Sequence, residues 1–105
     1  MTIKEFKKLL EDTFEKSRKT YDHKMNEYAT DLDVFQSFKL GVGFSFQDTP
    51  EGVAWNYACK HFESIKNIIS KVSDEVPTDE LLDEKIGDAI NYLIIIKGLI
   101  KERGD

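Results

Sequence analysis

The segment from residue 78 to residue 103 carries apolar side chains at helical spacing on two separate faces, and this pattern restricts the fold more than any other feature of the sequence. A helix that is apolar around much of its circumference has to be buried on two sides. In a chain of 105 residues we expect the second partner to be another subunit, so the pattern predicts a homodimer or a higher oligomer. The alternative is a monomer with this helix at its centre. One face comprises Leu82, Ile86, Ala89 or Ile90, Leu93, Ile96 and Ile100, and the other comprises Leu81, Tyr92, Ile95 and Leu99.

Three further segments have a helical period, so the sequence predicts an all-α fold, a bundle of about four helices in a single domain over 1–105. Thr2 and Glu5 have the spacing of a capping box, and Thr49 followed by Pro50 is typical of a helix start. The glycine pair in Gly41-Val42-Gly43 is expected to end the second helix. The predicted helices lie at about 2–28, 31–40, 50–72 and 78–103.

The composition excludes several classes of partner. The net charge of −5 gives no electrostatic footprint for a nucleic-acid backbone, so no nucleic-acid partner is expected. The longest near-apolar run, Tyr92 to Ile96, is too short to span a bilayer, so no membrane partner is expected either. Because Cys59 is the single cysteine, no internal disulfide can form, and a reducing, cytoplasmic compartment is expected. Cys59 itself is interpreted as a small core residue.

Polar residues interrupt the second apolar face of the last helix. Glu84 and Asp88 are four residues apart, so their carboxylates point the same way, and Asn91 follows one turn later. A carboxylate on an apolar face is costly unless a partner compensates its charge. Three interpretations stay open: pairing with a lysine or arginine, binding of Mg²⁺, which prefers oxygen ligands, or a solvated edge of the helix with Lys85 or Lys97 nearby.

Two other groups of residues could carry chemistry. Near the end of the first helix, Lys24 and Tyr28 are four residues apart with Glu27 beside them; the lysine could meet a phosphate and the tyrosine could stack on a base. The alternative is a salt pair at the helix end with a core tyrosine. On the third helix, Lys60 and His61 precede Glu63, Ser64 and Asn67. His61 lies on the apolar stripe, and the alternative interpretation is a core histidine with satisfied hydrogen bonds. No residue is assigned as catalytic.

These groups resemble small bacteriophage and prophage proteins described as a nucleotide modification associated domain. Those proteins are in turn distantly similar to the all-α nucleoside triphosphate pyrophosphohydrolases, a group that includes MazG and the dimeric dUTPases. The resemblance covers roughly residues 15–103, and its most specific piece is Asp88-x-x-Asn91-Tyr92. It is carried by Lys24-x-x-Glu27-Tyr28-Ala29, by Lys60-His61-x-x-Ser64-Ile65 and by Glu84-Lys85-Ile86-Gly87-Asp88-Ala89-Ile90-Asn91-Tyr92-Leu93.

The resemblance implies an oligomeric helical bundle that holds Mg²⁺ between acidic residues of neighbouring helices. An activated water then cleaves a nucleotide between its α- and β-phosphates. Asp88 matches the group's helix aspartate, but Lys85 stands where its Glu-x-x-Asp pattern has glutamate. In the preceding helix Lys60 stands three residues before Glu63, so Glu-x-x-Glu is absent as well. A site with fewer carboxylates holds fewer metal ions, whereas lysine can meet phosphate directly.

The resemblance and the residues together predict a nucleotide-binding protein, in the host cytoplasm if it is phage-encoded. If it also hydrolyses the nucleotide, it is expected to be a Mg²⁺-dependent nucleoside triphosphate pyrophosphohydrolase. The alternative is a non-enzymatic phage accessory or interaction protein without a small-molecule site. The metal ligands expected are Glu27, Glu63, Glu84 and Asp88. The phosphate contacts expected are Lys24, Lys60 and His61, and the base or sugar contacts are Tyr28, Asn91 and Tyr92.

Overall fold

The structure is a computed structural model that describes the backbone of residues 1–28 and 33–104 and the side chains of residues 1–22 and 33–104. These residues form four α-helices and no strand. The all-α fold predicted from the sequence is therefore confirmed. The helices are α1 (Ile3–Tyr28), α2 (Gln36–Phe44), α3 (Pro50–Lys71) and α4 (Asp79–Gly104).

Side-chain caps fix where three of the helices begin. The amide of Glu5 donates to Thr2 Oγ1 at 3.1 Å and the amide of Thr2 donates to Glu5 Oε2 at 2.8 Å, which is the predicted capping box. Thr49 Oγ1 accepts from the amide of Gly52 at 3.0 Å at the start of α3. Thr78 Oγ1 plays the same part for α4. Because these caps are local, the bounds of α1, α3 and α4 lie within about one residue of prediction.

The second helix differs from its prediction at both ends. It was expected over 31–40, but α2 begins at Gln36, after a turn in which the amide of Phe35 donates to Asp33 Oδ1 at 2.9 Å. Residues 31 and 32 lie outside the described residues. At its other end α2 continues through Gly41 and Gly43 instead of stopping. Packing explains this, because a Cβ at position 41 would lie 2.9 Å from Val53 Cγ1. Gly41 is therefore a point of close helix approach rather than a helix stop.

Contacts between the helices define their directions. Arg103 at the end of α4 pairs with Glu51 at the start of α3, so these two helices are antiparallel. The helix α2 is antiparallel to α3, since Phe38 lies against Tyr57 while Gly41 lies against Val53. The helix α1 lies against α4, where Lys16 pairs with Asp83 at 2.9 Å and Ser17 lies against Gly87. Phe35, at the start of α2, lies against Gly98 on the same face of α4 as Gly87. The α3–α4 pair thus has α1 and α2 along one side.

The buried apolar core is small, and much of it lies in the α3–α4 seam. Short side chains let the two helices approach closely, but they remove little apolar surface from water. Cys59 was expected in this core, and the structure contradicts this prediction. Cys59 is exposed, although it directly follows the buried Ala58 in α3. No helix in the described ranges is long and apolar enough to cross a membrane. Among the described side chains, the buried apolar residues are Val53, Ala54, Ala58, Ala89 and Leu99.

Candidate nucleotide-binding site

Three rings from α3 and α4 form a stacked column. The ring centroids of His61 and Tyr92 are 5.0 Å apart at an interplanar angle of 26°, and those of Tyr92 and Tyr57 are 6.2 Å apart at 21°. Phe38 of α2 meets both tyrosines edge-on, with centroids 6.3 Å away. Offset stacks and edge contacts of this kind are the favourable aromatic geometries. We call His61, Tyr92 and Tyr57 the ring column.

The helical period explains why these residues meet. Tyr57 and His61 are four residues apart and lie on one face of α3, and Asp88 and Tyr92 have the same relation on α4. The antiparallel seam brings the two pairs together, so Tyr92 lies beside both rings of α3. Tyr57 is 47% exposed, whereas Tyr92 and His61 are partly buried. The column therefore leads from the protein surface into the seam.

Asp88 is the buried charge of the site. It is 7% exposed, and its Oδ2 lies 3.7 Å from His61 Nδ1. Transferring a carboxylate from water to such a place is costly without polar or charged neighbours, and a protonated His61 would supply the opposite charge. The sequence predicted Asp88 as a metal ligand or a lysine partner. The structure adds a third element, the imidazole, which also stacks on Tyr92.

Lys60 lies at the outer end of the ring column. Its Nζ is 5.5 Å from the centroid of the Tyr57 ring, within the range of a cation–π contact. The lysine is exposed, so its ammonium group stays hydrated and its stem is free to swing. The predicted phosphate contacts Lys60 and His61 thus lie on either side of the same tyrosine pair. Lys24, the third predicted phosphate contact, lies outside the described side chains.

Asn91 contributes to helix packing next to the site. It is 8% exposed, and its Nδ2 donates to the backbone carbonyl of Ser17 at 3.1 Å, which holds α1 against α4. Ser17 is 3% exposed, and its hydroxyl has no hydrogen-bond partner among the described residues. It faces Gly87, where an added Cβ would lie 3.1 Å from the hydroxyl oxygen. A contact of Asn91 with a base or sugar stays a prediction.

The predicted metal ligands occupy different environments. Asp88 is buried in the seam, whereas Glu63 is exposed on α3. The side chain of Glu84 is 62% exposed, and its Oε1 lies 3.8 Å from Lys85 Nζ. The side chains of Glu27 and Tyr28 lie outside the described residues. Within the described side chains, no group of three or more histidine, cysteine, aspartate or glutamate residues could hold a metal ion.

Sequence reasoning missed Tyr57 and Phe38 as site residues. Tyr57 was interpreted only as part of the apolar stripe of the third helix, although its spacing of four residues from His61 was a usable signal. Phe38 had no such signal, because its place in the site depends on how α2 packs on α3. Comparison with protein families, with curated proteins and with solved structures gave no match. The resemblance to nucleoside triphosphate pyrophosphohydrolases therefore stays a prediction.

Proposed function

We propose that the chain binds a nucleotide at the ring column, with the base stacked on Tyr57. The observation that carries this proposal is the column itself, which ends in a half-exposed tyrosine with an ammonium group beside it. Stacking of a base on an aromatic side chain contributes roughly 1–3 kcal/mol. A tyrosine held from behind by Tyr92 is already oriented, so little side-chain entropy is lost when a base binds.

The groups around the column suit the rest of a nucleotide. Lys60 is close enough to Tyr57 for its flexible stem to place a positive charge on the phosphates of a stacked base. His61 and Asp88 lie at the inner end of the ring column, separated from Tyr57 by the ring of Tyr92, so they hold the column in place rather than contact a base on Tyr57. The proposed ligand is a nucleoside phosphate, and the number of phosphates is to be found by experiment.

Pyrophosphohydrolysis would demand more of the site than binding does. Neutralising a triphosphate and activating a water requires metal ions held by several carboxylates. Of the described carboxylates predicted to hold Mg²⁺, only Asp88 lies in the seam with the ring column. We therefore propose binding as the function, and a pyrophosphate-release assay with and without Mg²⁺ separates it from hydrolysis. Release that depends on Mg²⁺ and is lost in Asp88→Ala would identify the chain as an enzyme.

Calorimetric titration with nucleoside mono-, di- and triphosphates tests the binding site directly. We expect Tyr57→Ala to weaken binding by about 5- to 150-fold, since it removes the stacking surface. Tyr57→Phe should retain most of the affinity because it keeps the ring. Lys60→Ala should weaken the binding of nucleotides more than the binding of nucleosides. Lys71→Ala, an exposed lysine about three turns further along α3, is the matched control and should leave the affinity unchanged.

Two results would contradict this site. If Tyr57→Ala and the unaltered protein bind the nucleotide with equal affinity, the base does not stack in the ring column. Binding of inorganic triphosphate as tight as that of the nucleoside triphosphate would show that the chain recognises polyphosphate charge alone.

The proposal also includes the cytoplasm as compartment and a homo-oligomer as the working form. The large exposed side chains of α4 support the homo-oligomer.

A protein-interaction module without a small-molecule ligand is the second candidate function. The observation in its favour is the first half of α1, whose apolar side chains recur at helical spacing and stay exposed. Phe6 is 57% exposed and Phe14 is 52% exposed. Exposed apolar patches of this kind are typical of surfaces that bind other proteins. Under this alternative, no nucleotide would raise the melting temperature of the protein. Phe6→Ser would abolish binding of the partner protein while leaving the fold intact.

A further inference from the structure

We infer that two copies of the chain pair through the side of the α3–α4 hairpin that faces away from α1 and α2, forming a four-helix bundle between them. This inference deepens the proposed homo-oligomer by naming the surface and its occupant, and it does not depend on nucleotide binding. We call the surface the outer face. Its residues are Trp55, Phe62 and Ile69 of α3 and Ile86, Leu93 and Ile100 of α4.

The contacts of α3 leave one of its sides open. Val53 and Tyr57 face α2, and His61 faces α4. Ala58, next to His61 around the helix, is buried. At about 100° per residue, Trp55 and Ile69 lie further around the helix in the same sense. They are 54% and 64% exposed. Phe62, which is partly buried, lies on the same stripe, with its ring centroid 5.8 Å from that of Trp55.

The same order of contacts occurs around α4. Gly87 and Asn91 face α1, and Asp88 faces α3. About 120° further around the helix come Ile86, Leu93 and Ile100. These three side chains are 37%, 48% and 57% exposed, respectively. The apolar face of α4 that was predicted to need a second partner is therefore uncovered within the chain at these positions.

Helix direction places the two stripes on one side of the hairpin. Around each helix, viewed along its own direction, the neighbouring helix comes first, then the other helix of the hairpin, then the outer-face stripe. Because α3 and α4 are antiparallel, this order runs clockwise on one helix and anticlockwise on the other when both are viewed from the same end of the hairpin. The neighbours α1 and α2 therefore lie together on one side of the hairpin, and both stripes lie on the opposite side. Ala89, at the edge of the stripe on α4 nearest to α3, is only 5% exposed, as expected where the two stripes adjoin.

The chain as a whole exposes more surface than is usual for a folded monomer of its mass. The chain exposes 8,284 Å², whereas a folded monomer of 12.1 kDa exposes about 6,000 Å². Its radius of gyration of 15.8 Å also exceeds the roughly 13 Å typical of this length. Obligate dimers bury about 1,000–2,500 Å² on each partner. The excess, summed over the whole chain and thus including the exposed first half of α1, is of the size that such an interface buries on each partner.

The spacing of the outer face identifies a second copy as the occupant. Both stripes recur every seven residues, which is the repeat of helices that pack side by side in bundles. A two-helix apolar face closes on an identical face by a two-fold axis, and the resulting assembly is finite. All six residues of the face are uncharged, so pairing buries no ionised group of the face itself.

This arrangement leaves the ring column accessible in each copy. Tyr57 and Lys60 lie roughly half a turn around α3 from Trp55 and Phe62, on the side of α2. The two ligand sites of the dimer therefore open outward and independently. A variant that separates the subunits should keep its nucleotide affinity, so failure of the interface and failure of the nucleotide site give different results.

Light scattering after size-exclusion chromatography tests the interface. We expect twice the 12.1 kDa chain mass for the unaltered protein at micromolar concentration. Leu93→Glu would bury one carboxylate from each subunit and should weaken the dimer on the order of a hundredfold, giving monomers. Leu9→Glu on α1 is the matched control, since Leu9 is 47% exposed against 48% for Leu93 but lies outside the outer face. It should remain a dimer.

Trp55, the single tryptophan, gives an independent readout on the outer face. Its emission should shift to longer wavelength when the protein is diluted and in Leu93→Glu, because the indole returns to water. A monomer at hundreds of micromolar would overturn the inference. A dimer that survives Leu93→Glu but dissociates in Leu9→Glu would overturn it too and would move the interface to α1. Circular dichroism confirms that each variant keeps its helices.

Discussion

Ser17 and Asn91 show what individual buried polar residues cost and contribute at the α1–α4 contact. Asn91 Nδ2 has an acceptor in the carbonyl of Ser17, whereas the Ser17 hydroxyl has no hydrogen-bond partner among the described residues. A buried hydroxyl without a partner costs about 1–3 kcal/mol of the free energy of unfolding. Its small size still serves the fold, because Gly87 lies against it.

Replacing Ser17 with alanine should therefore stabilise the protein. Ser17→Ala removes the unsatisfied hydroxyl and keeps the volume of the side chain small, so we expect the free energy of unfolding to rise by about 1 kcal/mol. Urea denaturation followed by circular dichroism measures the change. Ser64→Ala is the control, since the Ser64 hydroxyl donates to the carbonyl of Lys60 at 3.1 Å. Destabilisation by Ser17→Ala would mean that the hydroxyl has a hydrogen-bond partner.

The surroundings of Asp88 could be predicted only in part from the sequence. Its position on an otherwise apolar helical face predicted a carboxylate that needs a partner, and the structure does bury it. The identity of the neighbour could not be predicted, because His61 belongs to another helix and approaches only through the packing of the seam. Tyr57 entered the site in the same way, through a ring on the opposite helix.

The elements of the fold differ in how well local sequence determines them. The periodicity of α1, α3 and α4 lies within each helix and the capping threonine directly before it, so these three helices were predicted closely. The helix α2 was misplaced because glycine lowers helix propensity, and the compensating contact with Val53 lies in a different helix. Tertiary packing here outweighs a local signal.

The two glycines of α2 give a matched test of this account. Gly43→Ala meets nothing within 4 Å and should raise the free energy of unfolding by about 0.5–1 kcal/mol through helix propensity. Gly41→Ala brings the same gain but forces a Cβ against buried Val53, and overpacking of that kind costs about 1–3 kcal/mol. We expect net destabilisation. If urea denaturation finds both variants stabilised, the close approach of α2 to α3 is wrong.

The ion pair that joins the ends of α3 and α4 gives the fold a pH dependence. Arg103 donates to both carboxylate oxygens of Glu51, with Nη2 3.0 Å from Oε2, and this hydrogen bonding holds the pKa of Glu51 below its ordinary value. A lowered pKa in the folded state stabilises the fold above the pKa of the unfolded chain. That stabilisation is lost as the pH falls through the lower folded value.

Acid denaturation of Glu51→Gln measures this contribution. Between neutral pH and pH 3, the unaltered protein should lose more of its free energy of unfolding than the variant does, because the variant has no carboxylate to protonate. The difference should be small, since Arg103 is 59% exposed and the pair is screened by water and salt. Glu75→Gln, an exposed glutamate after α3, should follow the unaltered protein. Identical curves for the unaltered protein and Glu51→Gln would count against the pair.

At the scale of the whole molecule, many large apolar side chains of the described residues are exposed, including several on α4. The two-faced pattern of the last helix predicted this from the sequence, and the exposed Leu93 and Ile100 agree with it. The contribution of Trp55 could not be predicted, because it depends on which sides of α3 are occupied by α2 and α4. The inferred dimer covers this face and leaves the ring column open on the other side of α3.

One measurement tests the proposed nucleotide site most directly. The melting temperature of the purified protein is compared across nucleoside mono-, di- and triphosphates at millimolar concentration, with and without Mg²⁺, beside Tyr57→Ala. We expect one class of nucleotide to raise the melting temperature by several degrees through ligand linkage, and Tyr57→Ala to lose that rise. No shift with any nucleotide, with or without Mg²⁺, would contradict the claim and favour the protein-interaction function.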